Sequence, residues 1–228
     1  MDKQYIYEGE IPSDERILWM TTEGEMWTDR NKVDWRKRVK AFKTLLSGLE
    51  VKSVLELGCN RGYNLETLKH VSNYDMTGMD ICSYPLSMPV SKDLKLVQGD
   101  IMDIPFPDNS FDLVFTVAVL LYFDSKALRR IAEEINRVSK RYFLAIEYCR
   151  NKDNVMDNDT ELQCRFIPSP ERWWESICFW WARDYGHFLP GLVDKRVLSP
   201  EQGFGEGCGW WLFDKNIRPE ARFEYLES

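Results

Sequence analysis

The residues of this chain that could do chemistry follow short apolar segments. The run S-V-L-E-L-G-C-N-R-G, residues 53–62, joins an apolar segment containing Glu56 to two glycines. Asp80 follows the next apolar segment, and Asp100 follows Gly99 after a third. Each feature alone is common, but the set in this order predicts a crevice for a nucleotide-type cofactor, because ligands of open parallel sheets bind beyond the carboxyl ends of the strands.

Each of these residue types suits one part of such a ligand. Gly58 and Gly62 let the backbone turn sharply and come close to a ligand, because glycine has no Cβ. The helix that begins after them offers free N–H groups to an anion. The Glu56 carboxylate can neutralise or orient a cationic group. Asp80 can hold two ribose hydroxyls, and Asp100 can accept a hydrogen bond from an exocyclic adenine amine.

Strand and helix patterns alternate along the chain. Continuous apolar runs predict buried strands at 53–57, 75–79, 94–98, 112–117, 142–147 and 209–215. The aromatic segment after residue 172 predicts a helix leading into a further strand that ends near Tyr185. The alternation predicts an α/β fold: a doubly wound, Rossmann-like, mostly parallel sheet with helices on both faces.

The chain is expected to be one domain with three regions. Residues 1–50 are predicted to be an N-terminal helical lid, in which Trp35, Val39, Phe42 and Leu46 form one helix face. Residues 51–150 are predicted to form the cofactor-binding core. Residues 151–228 are predicted to supply a C-terminal cap insertion for the substrate and the last two strands of the same sheet.

Composition excludes several classes of protein. The net charge of −7, from 30 basic and 37 acidic residues, argues against a nucleic-acid partner. No apolar run reaches the ~20 residues of a membrane span, and no signal sequence opens the chain. The cysteines form no C-x-x-C pair, and with only two histidines no metal site is expected. We therefore expect a cytoplasmic monomer or homodimer that acts on a small molecule.

The motifs resemble those of the class I S-adenosylmethionine-dependent methyltransferases. V-L-E-L-G-C-N-R-G matches the first motif of that family, Met79-Asp80 the second and Gln98-Gly99-Asp100 the third, while P-F-P-D-N-S-F-D-L-V matches the fourth. The resemblance implies S-adenosyl-L-methionine as the cofactor and S-adenosyl-L-homocysteine as the product. It also implies a seven-stranded sheet whose last strand is antiparallel, a position that suits Trp210 to Phe213.

The resemblance assigns expected roles to matching residues. The methionine part of the cofactor would be surrounded by Glu56, Gly58, Cys59, Asn60 and Gly62. The ribose would be held by Asp80 and Ile81, and the adenine by Asp100 and Ile101, with Thr116 and Val117 as the floor of the pocket. Trp27 and Arg30 are further cofactor-binding candidates, on the expected lid.

A finer resemblance links the chain to the methylases associated with pseudaminic acid biosynthesis. It rests on W-x-x-R-N at 27–31, L-E-L-G-C-N-R-G-Y-N-L at 55–65 and I-E-Y at 146–148. It implies methyl transfer to an oxygen or nitrogen of a small molecule such as a sugar or nucleotide-linked sugar.

Catalytic candidates lie at predicted strand ends and in the cap. Methyl transfer depends mainly on alignment of acceptor, carbon and sulfur, and an oxygen or amine acceptor can also need a general base. His187 is the first candidate for that base, because imidazole titrates near neutral pH. The other catalytic candidates are Glu147 and Tyr122. The substrate-binding candidates are Tyr148, Arg150, Asn31 and Trp181.

Two other functions fit parts of the same pattern. A nicotinamide-dependent oxidoreductase would use a similar fold, but Asn60 stands where the G-x-G-x-x-G fingerprint has its central glycine. A binding protein that keeps the fold without turnover is the third interpretation, because methyl transfer requires few protein groups.

Overall fold

The structure is a computed structural model that describes residues 15–123, 125–148, 162–165, 179–182, 185, 189–198, 200–204 and 208–217, and nine strands lie within these described residues. In chain order they are β1 (Ser53–Leu57), β2 (Asp75–Asp80), β3 (Lys95–Gln98), β4 (Phe111–Val117), β5 (Ser139–Tyr148), β6 (Leu162–Arg165), β7 (Phe179–Ala182), β8 (Leu192–Val197) and β9 (Cys208–Asp214). The described α-helices are α1 (Glu15–Met20), α2 (Thr22–Arg30), α3 (Val39–Leu45), α4 (Tyr63–Leu68), α5 (Ser83–Leu86) and α6 (Ser125–Val138).

Seven of these strands form one sheet in the order β3-β2-β1-β4-β5-β9-β8. The pairs among β1 to β5 are parallel, whereas β9 runs antiparallel to β5, with Ile146 opposite Trp210. The order reverses at β1, and the crossover connections bring the carboxyl ends of β1, β2, β4 and β5 to one edge. The predicted seven-stranded, Rossmann-like sheet with an antiparallel last strand is confirmed.

Helices cover both faces of the sheet because its central strands are apolar on both sides. Val54 of β1 packs with α3 and α4, while the neighbouring Leu55 and Leu57 belong to the core on the opposite face. The apolar stripe of α6, consisting of Leu128, Ile131, Ile135 and Val138, fills that second face. Both faces of the central strands are therefore buried, and only the ends of the strands can contact a ligand.

The sixth strand of the sheet differs from the prediction. The sequence favoured a strand ending near Tyr185, but the aromatic segment Phe179–Ala182 pairs with Leu162–Arg165 in a separate two-stranded sheet. The edge of the main sheet is instead Leu192–Val197. That strand was missed because an edge strand is paired on one side only, and its sequence L-V-D-K-R-V is correspondingly polar.

The N-terminal helices lie against the carboxyl edge of β1 to β3. Asn60 Nδ2 donates to Thr28 Oγ1 of α2 at 2.8 Å, and Tyr84 Oη donates to Asp29 Oδ1 at 2.9 Å. Of the predicted helix face, Phe42 and Leu46 are buried, whereas Trp35 falls in a 3-10 turn. These contacts bring α1 and α2 beside the strand ends.

At the opposite edge, the Asp112 carboxylate ties β4 to the start of β1. Its Oδ2 accepts hydrogen bonds from the N–H groups of Lys52 and Ser53 at 2.9 and 2.8 Å, and its Oδ1 lies 3.1 Å from Lys140 Nζ. Burial opposes ionisation, but these bonds outweigh it and lower the pKa of Asp112 to about 2.

We expect Asp112→Asn to lower the free energy of unfolding at pH 7 by about 1–3 kcal/mol, because the neutral amide loses the ion pair with Lys140 and accepts the Lys52 and Ser53 N–H groups without a negative charge. The lowered pKa of Asp112 means that its stabilisation is present above the unfolded value and is lost as the pH falls toward 2. Urea titrations at pH 7 and near pH 2 check this, and an undiminished difference at the acid end would contradict it.

Candidate functional site

The carboxyl ends of β1, β2, β4 and β5 open into a cavity of about 580 Å³. This volume is in the range of small-molecule sites. The predicted residues that line the cavity are Glu56, Gly58, Cys59, Asn60, Asp80, Ile81, Ile101, Val117, Tyr122, Tyr148, Trp27 and Asn31. The structure therefore brings residues from six separate segments of the sequence to one place.

The glycine turn after β1 lies directly against β2 and the loop after β4. Gly58 and Cys59 N–H groups both donate to the Met79 carbonyl, at 2.8 and 3.0 Å. Gly58 has φ +72°, and a Cβ placed on it would overlap the Val119 side chain. Only glycine fits this position without strain, so the turn keeps its backbone at the cavity wall.

Asp80 fixes the far side of the same turn. Its Oδ2 accepts from the Asn60 N–H at 2.7 Å, and its Oδ1 accepts from the Cys82 N–H at 2.9 Å. Burial raises the pKa of Asp80, and these backbone bonds oppose the rise. A carboxylate offers about four lone-pair sites, so Asp80 can order the turn and still accept from a ligand in the cavity.

Glu56 and Arg38 place a carboxyl group and a guanidinium on one wall of the cavity with an amide between them. Asn64 Nδ2 donates to Glu56 Oε1 at 2.6 Å, and Arg38 Nη1 donates to Asn64 Oδ1 at 2.6 Å. Arg38 Nε donates to the Gly203 carbonyl at 2.9 Å, which orients the guanidinium. All three side chains line the cavity.

Burial dominates the electrostatics of this wall. Glu56 is 1% exposed, and desolvation raises its pKa to about 8 despite the Asn64 hydrogen bond and the nearby Arg38. Burial likewise lowers the pKa of Arg38, and the attraction of Glu56 opposes that shift. A cationic group entering beside Glu56 would therefore favour its ionised form.

Three buried polar atoms of cavity-lining residues have no hydrogen-bond partner within the described part of the chain: Glu56 Oε2, Asn60 Oδ1 and Trp19 Nε1. A buried group without a partner costs about 1–3 kcal/mol. Two acceptors and one donor therefore face a space in which a polar ligand would satisfy them. This set, with the glycine turn, fits an amino-acid and ribose ligand.

Aromatic side chains enclose the cavity on the side of α1 and α2. The Trp19 ring lies 4.4 Å from Tyr122 and 6.1 Å from Trp27, measured between ring centroids. Arg30 lies over the Trp27 ring at 5.1 Å but does not line the cavity. Trp27 and Asn31 are thus at the cavity wall, and Arg30 is behind it.

Of the residues predicted to contact the adenine or to form the floor of the cofactor pocket, some line the cavity and others do not. Ile101 and Val117 line the cavity, whereas Thr116 is fully buried beneath it and Asp100 is outside the lining set. Asp100 Oδ2 accepts from Arg16 Nη1 at 2.9 Å, and its Oδ1 accepts from the Met102 N–H at 2.8 Å. Gly62 also lies outside the lining set and, at φ +82°, precedes α4.

The catalytic and substrate-binding candidates separate into three groups. Tyr122 and Tyr148 line the cavity, and burial raises the pKa of Tyr148 to about 12. Glu147 is fully buried and does not line it. His187 and Arg150 lie outside the described residues, and of Trp181 only its place in β7 is described.

Sequence reasoning missed several residues that the cavity brings in. Arg38, Asn64, Val119 and Phe204 all line it. Arg38 belongs to the basic stretch 30–43, whose sequence is typical of a solvated helix face. Nothing in that local sequence indicates a hydrogen bond to Asn64, 26 residues away. In a single sequence these contacts have no signal, because they are set by packing between distant elements.

Two absences apply to the part of the chain that the structure describes. There, no cluster of three or more His, Cys, Asp or Glu side chains is arranged to hold a metal ion. None of the described helices combines the length and apolarity needed to cross a bilayer.

Comparison with known proteins identifies the core. Residues 55–142 match the family model for a methyltransferase domain. The chain is 32% identical to a sterol 24-C-methyltransferase of Gibberella zeae over 177 residues, which cover 72% of this chain and 46% of that protein. The chain thus spans less than half the length of that curated relative.

Solved structures with the same fold include two methyltransferases. A Methanosarcina mazei S-adenosylmethionine-dependent methyltransferase has a TM-score of 0.60 at 19% identity, covering 77% of this chain and 98% of its own. The glycopeptide N-methyltransferase MtfA, solved with S-adenosylmethionine, has a TM-score of 0.58 at 13% identity, covering 80% and 94%. Residues 55–142 are therefore a methyltransferase domain, and the chain has the class I S-adenosylmethionine-dependent methyltransferase fold that its motifs predicted.

Proposed function

We propose that this chain transfers a methyl group from S-adenosylmethionine to an oxygen or nitrogen atom of a small molecule. The observation that carries the proposal is the wall formed by Glu56, Asn64 and Arg38. This wall presents an unpartnered carboxylate oxygen and a guanidinium a short distance apart in a buried cavity. The amino-acid end of the cofactor carries an ammonium and a carboxylate, and its sulfonium adds a second positive charge.

The carboxyl group of Glu56, once ionised by a neighbouring ammonium, and the guanidinium of Arg38 would match that end of the cofactor. Glu56 Oε2 would accept from the ammonium, and Arg38 would bind the carboxylate by charge-assisted hydrogen bonds. Asp80 would accept from the ribose hydroxyls with the lone pairs that the Asn60 and Cys82 N–H groups leave free. Ile81 and Ile101 would flank the adenine on the apolar side of the cavity.

The cofactor supplies an electrophilic methyl group, so the protein's part is to align the acceptor and exclude water. Tyr122, Phe123, Tyr148 and Phe204 give the remaining wall an aromatic character. Flat aromatic faces suit a ring-shaped acceptor such as a sugar. Burial raises the pKa of Tyr148 to about 12, so this residue would contact the acceptor as a neutral phenol and would not serve as a base. His187 remains the proposed base for an acceptor that must lose a proton.

The names of the relatives leave the acceptor open. The curated relative is named for a sterol carbon and MtfA for a glycopeptide nitrogen. An acceptor of the sugar or nucleotide-linked sugar class is therefore our proposal for this chain. It rests on the aromatic wall and on the finer resemblance at 27–31, 55–65 and 146–148. A cytoplasmic location and a small-molecule partner belong to the same proposal.

Calorimetric titration with S-adenosylmethionine, S-adenosylhomocysteine and NAD tests the cofactor. Binding of the two sulfur ligands without NAD is expected, and binding of NAD alone would overturn the proposal in favour of redox chemistry. Formation of S-adenosylhomocysteine across a panel of sugars, nucleotide-linked sugars, amines and sterols then tests turnover. Cofactor binding without turnover on any acceptor would favour a binding protein.

We expect Asp80→Ala to weaken S-adenosylhomocysteine binding by about 1.5–3 kcal/mol, because it removes charge-assisted hydrogen bonds to the ribose and to the turn. Calorimetry on the folded variant measures the change. The matched control is Asp75→Ala, which alters an exposed carboxylate at the other end of the same strand. Equal affinities of wild type and Asp80→Ala would refute the ribose role.

We expect S-adenosylmethionine binding at pH 7 to release close to one proton. The pKa of Glu56, about 8 without ligand, means that its carboxyl is mostly protonated at pH 7, and an ammonium beside it would lower that pKa. Affinity should therefore rise between pH 6 and 7.5. Titrations in phosphate and Tris buffers, whose ionisation enthalpies differ, count the protons. Glu56→Gln should abolish the release, and an unchanged release in that variant would contradict the role of Glu56.

A further inference from the structure

Glu147 is a buried carboxylate whose hydrogen bonds go to the backbone of another strand's loop. It is fully buried at the end of β5, outside the cavity lining. The Val119 amide nitrogen lies 3.2 and 3.0 Å from its two carboxylate oxygens. The Thr116 side chain and the N–H groups of Leu120 and Leu121 also favour its ionised form. Both oxygens of one side chain are therefore directed at the first amide of the turn after β4, and the next two amides of that turn lie nearby.

The turn that these amides belong to is held in an unfavourable backbone conformation. Ala118, the first residue after β4, has φ +55°. The left-handed region costs an L-residue other than glycine about 1–2 kcal/mol. Ala118 N–H still donates to the Ile146 carbonyl at 2.8 Å, so the chain leaves the sheet immediately after this residue. The Glu147 carboxyl group, as partner of the Val119 N–H, offsets part of the free energy that this abrupt exit costs.

The same turn contacts the glycine turn, the N-terminal helices and the two-stranded sheet. Val119 packs where a Cβ on Gly58 would lie, and the Tyr122 ring lies 4.4 Å from Trp19. Strand β7 packs against residues 120–122. Displacement of this turn would therefore change the wall of the cavity on the cofactor side and on the acceptor side together.

We propose that Glu147 is a positioning residue: its carboxylate holds the turn 118–122 in the conformation that shapes both sides of the cavity, and it takes no part in the reaction. The proposal rests on the proposed function for the identity of the ligand only. The clamp itself, a buried carboxylate whose two oxygens accept the Val119 N–H beside a left-handed alanine, is independent of the reaction.

Hydrogen exchange in the ligand-free protein tests the clamp, and calorimetry with S-adenosylhomocysteine tests its consequence. In Glu147→Gln, whose amide group directs N–H bonds toward the turn, we expect faster exchange of the amides of 119–121 and about tenfold weaker binding. The exchange of β1 should be unchanged. Asp112→Asn is the matched control, because it also removes a carboxylate that accepts two backbone amides, at the opposite edge of the sheet. It should alter neither measurement in the folded protein.

Rescue by glycine separates positioning from a general loss of stability. In the Glu147→Gln background, Ala118→Gly should restore most of the affinity for S-adenosylhomocysteine, because a positive φ is unfavourable for alanine but not for glycine. Ala118→Gly alone supplies the reference affinity against which the double variant is compared. Failure of glycine to rescue, or unchanged exchange at 119–121 in Glu147→Gln, would overturn the proposal.

If Glu147→Gln does not fold, Glu147→Asp provides the same test. Aspartate keeps the carboxyl group, but its side chain is one methylene shorter, so the carboxyl group lies farther from the turn. Faster exchange at 119–121 in that variant is expected, and unchanged exchange would overturn the proposal. A wild-type protein that does not bind S-adenosylhomocysteine would refute the proposed function, while the exchange experiment would still decide the role of Glu147.

Discussion

Two carboxylates at the carboxyl edge of the sheet are the constraint on which the site depends. Asp80 and Glu147 each accept backbone N–H groups from a turn that leaves a neighbouring strand. Glu147 is fully buried and Asp80 is partly buried, so backbone donors stabilise both carboxylates, and the turns that supply these donors are fixed in place. The wall of the cavity is consequently built by hydrogen bonds between strands whose sequences are far apart.

Glu56 differs from these two because one of its oxygens has no partner among the described residues. Its burial raises the pKa to about 8, and the nearby Arg38 does not offset the desolvation. A fully paired Glu56 would make the wall more stable and leave nothing for a ligand. The bridging Asn64 keeps the two charges apart, so that each can bind a separate end of a zwitterion. Stability is given up here in the place where binding of a charged ligand can restore it.

A similar loss of local stability is found in the turn after β4. Ala118 adopts the left-handed region although glycine would do so more easily, and Val119 must then fill the space above Gly58. Neither residue carries reactive chemistry. Their importance comes from the elements that meet at the turn: the cofactor side, the N-terminal helices and the two-stranded sheet. Residues that catalyse nothing thus determine where a substrate can lie.

Most of the main sheet and the cofactor motifs could be predicted from the sequence. The central strands β1, β4, β5 and β9 are mostly buried, so their sequences are largely apolar, and the glycine turn was recognisable because its conformation admits few other residues. The edge strand Leu192–Val197 was missed, because its polar sequence lacks that signal. Only the tertiary structure decided that Arg38 faces Glu56 across Asn64, that Asp100 pairs with Arg16, and that Glu147 is behind the cavity wall. Those contacts join residues distant in the chain, and their energies depend on burial and distance, which are properties of the folded chain.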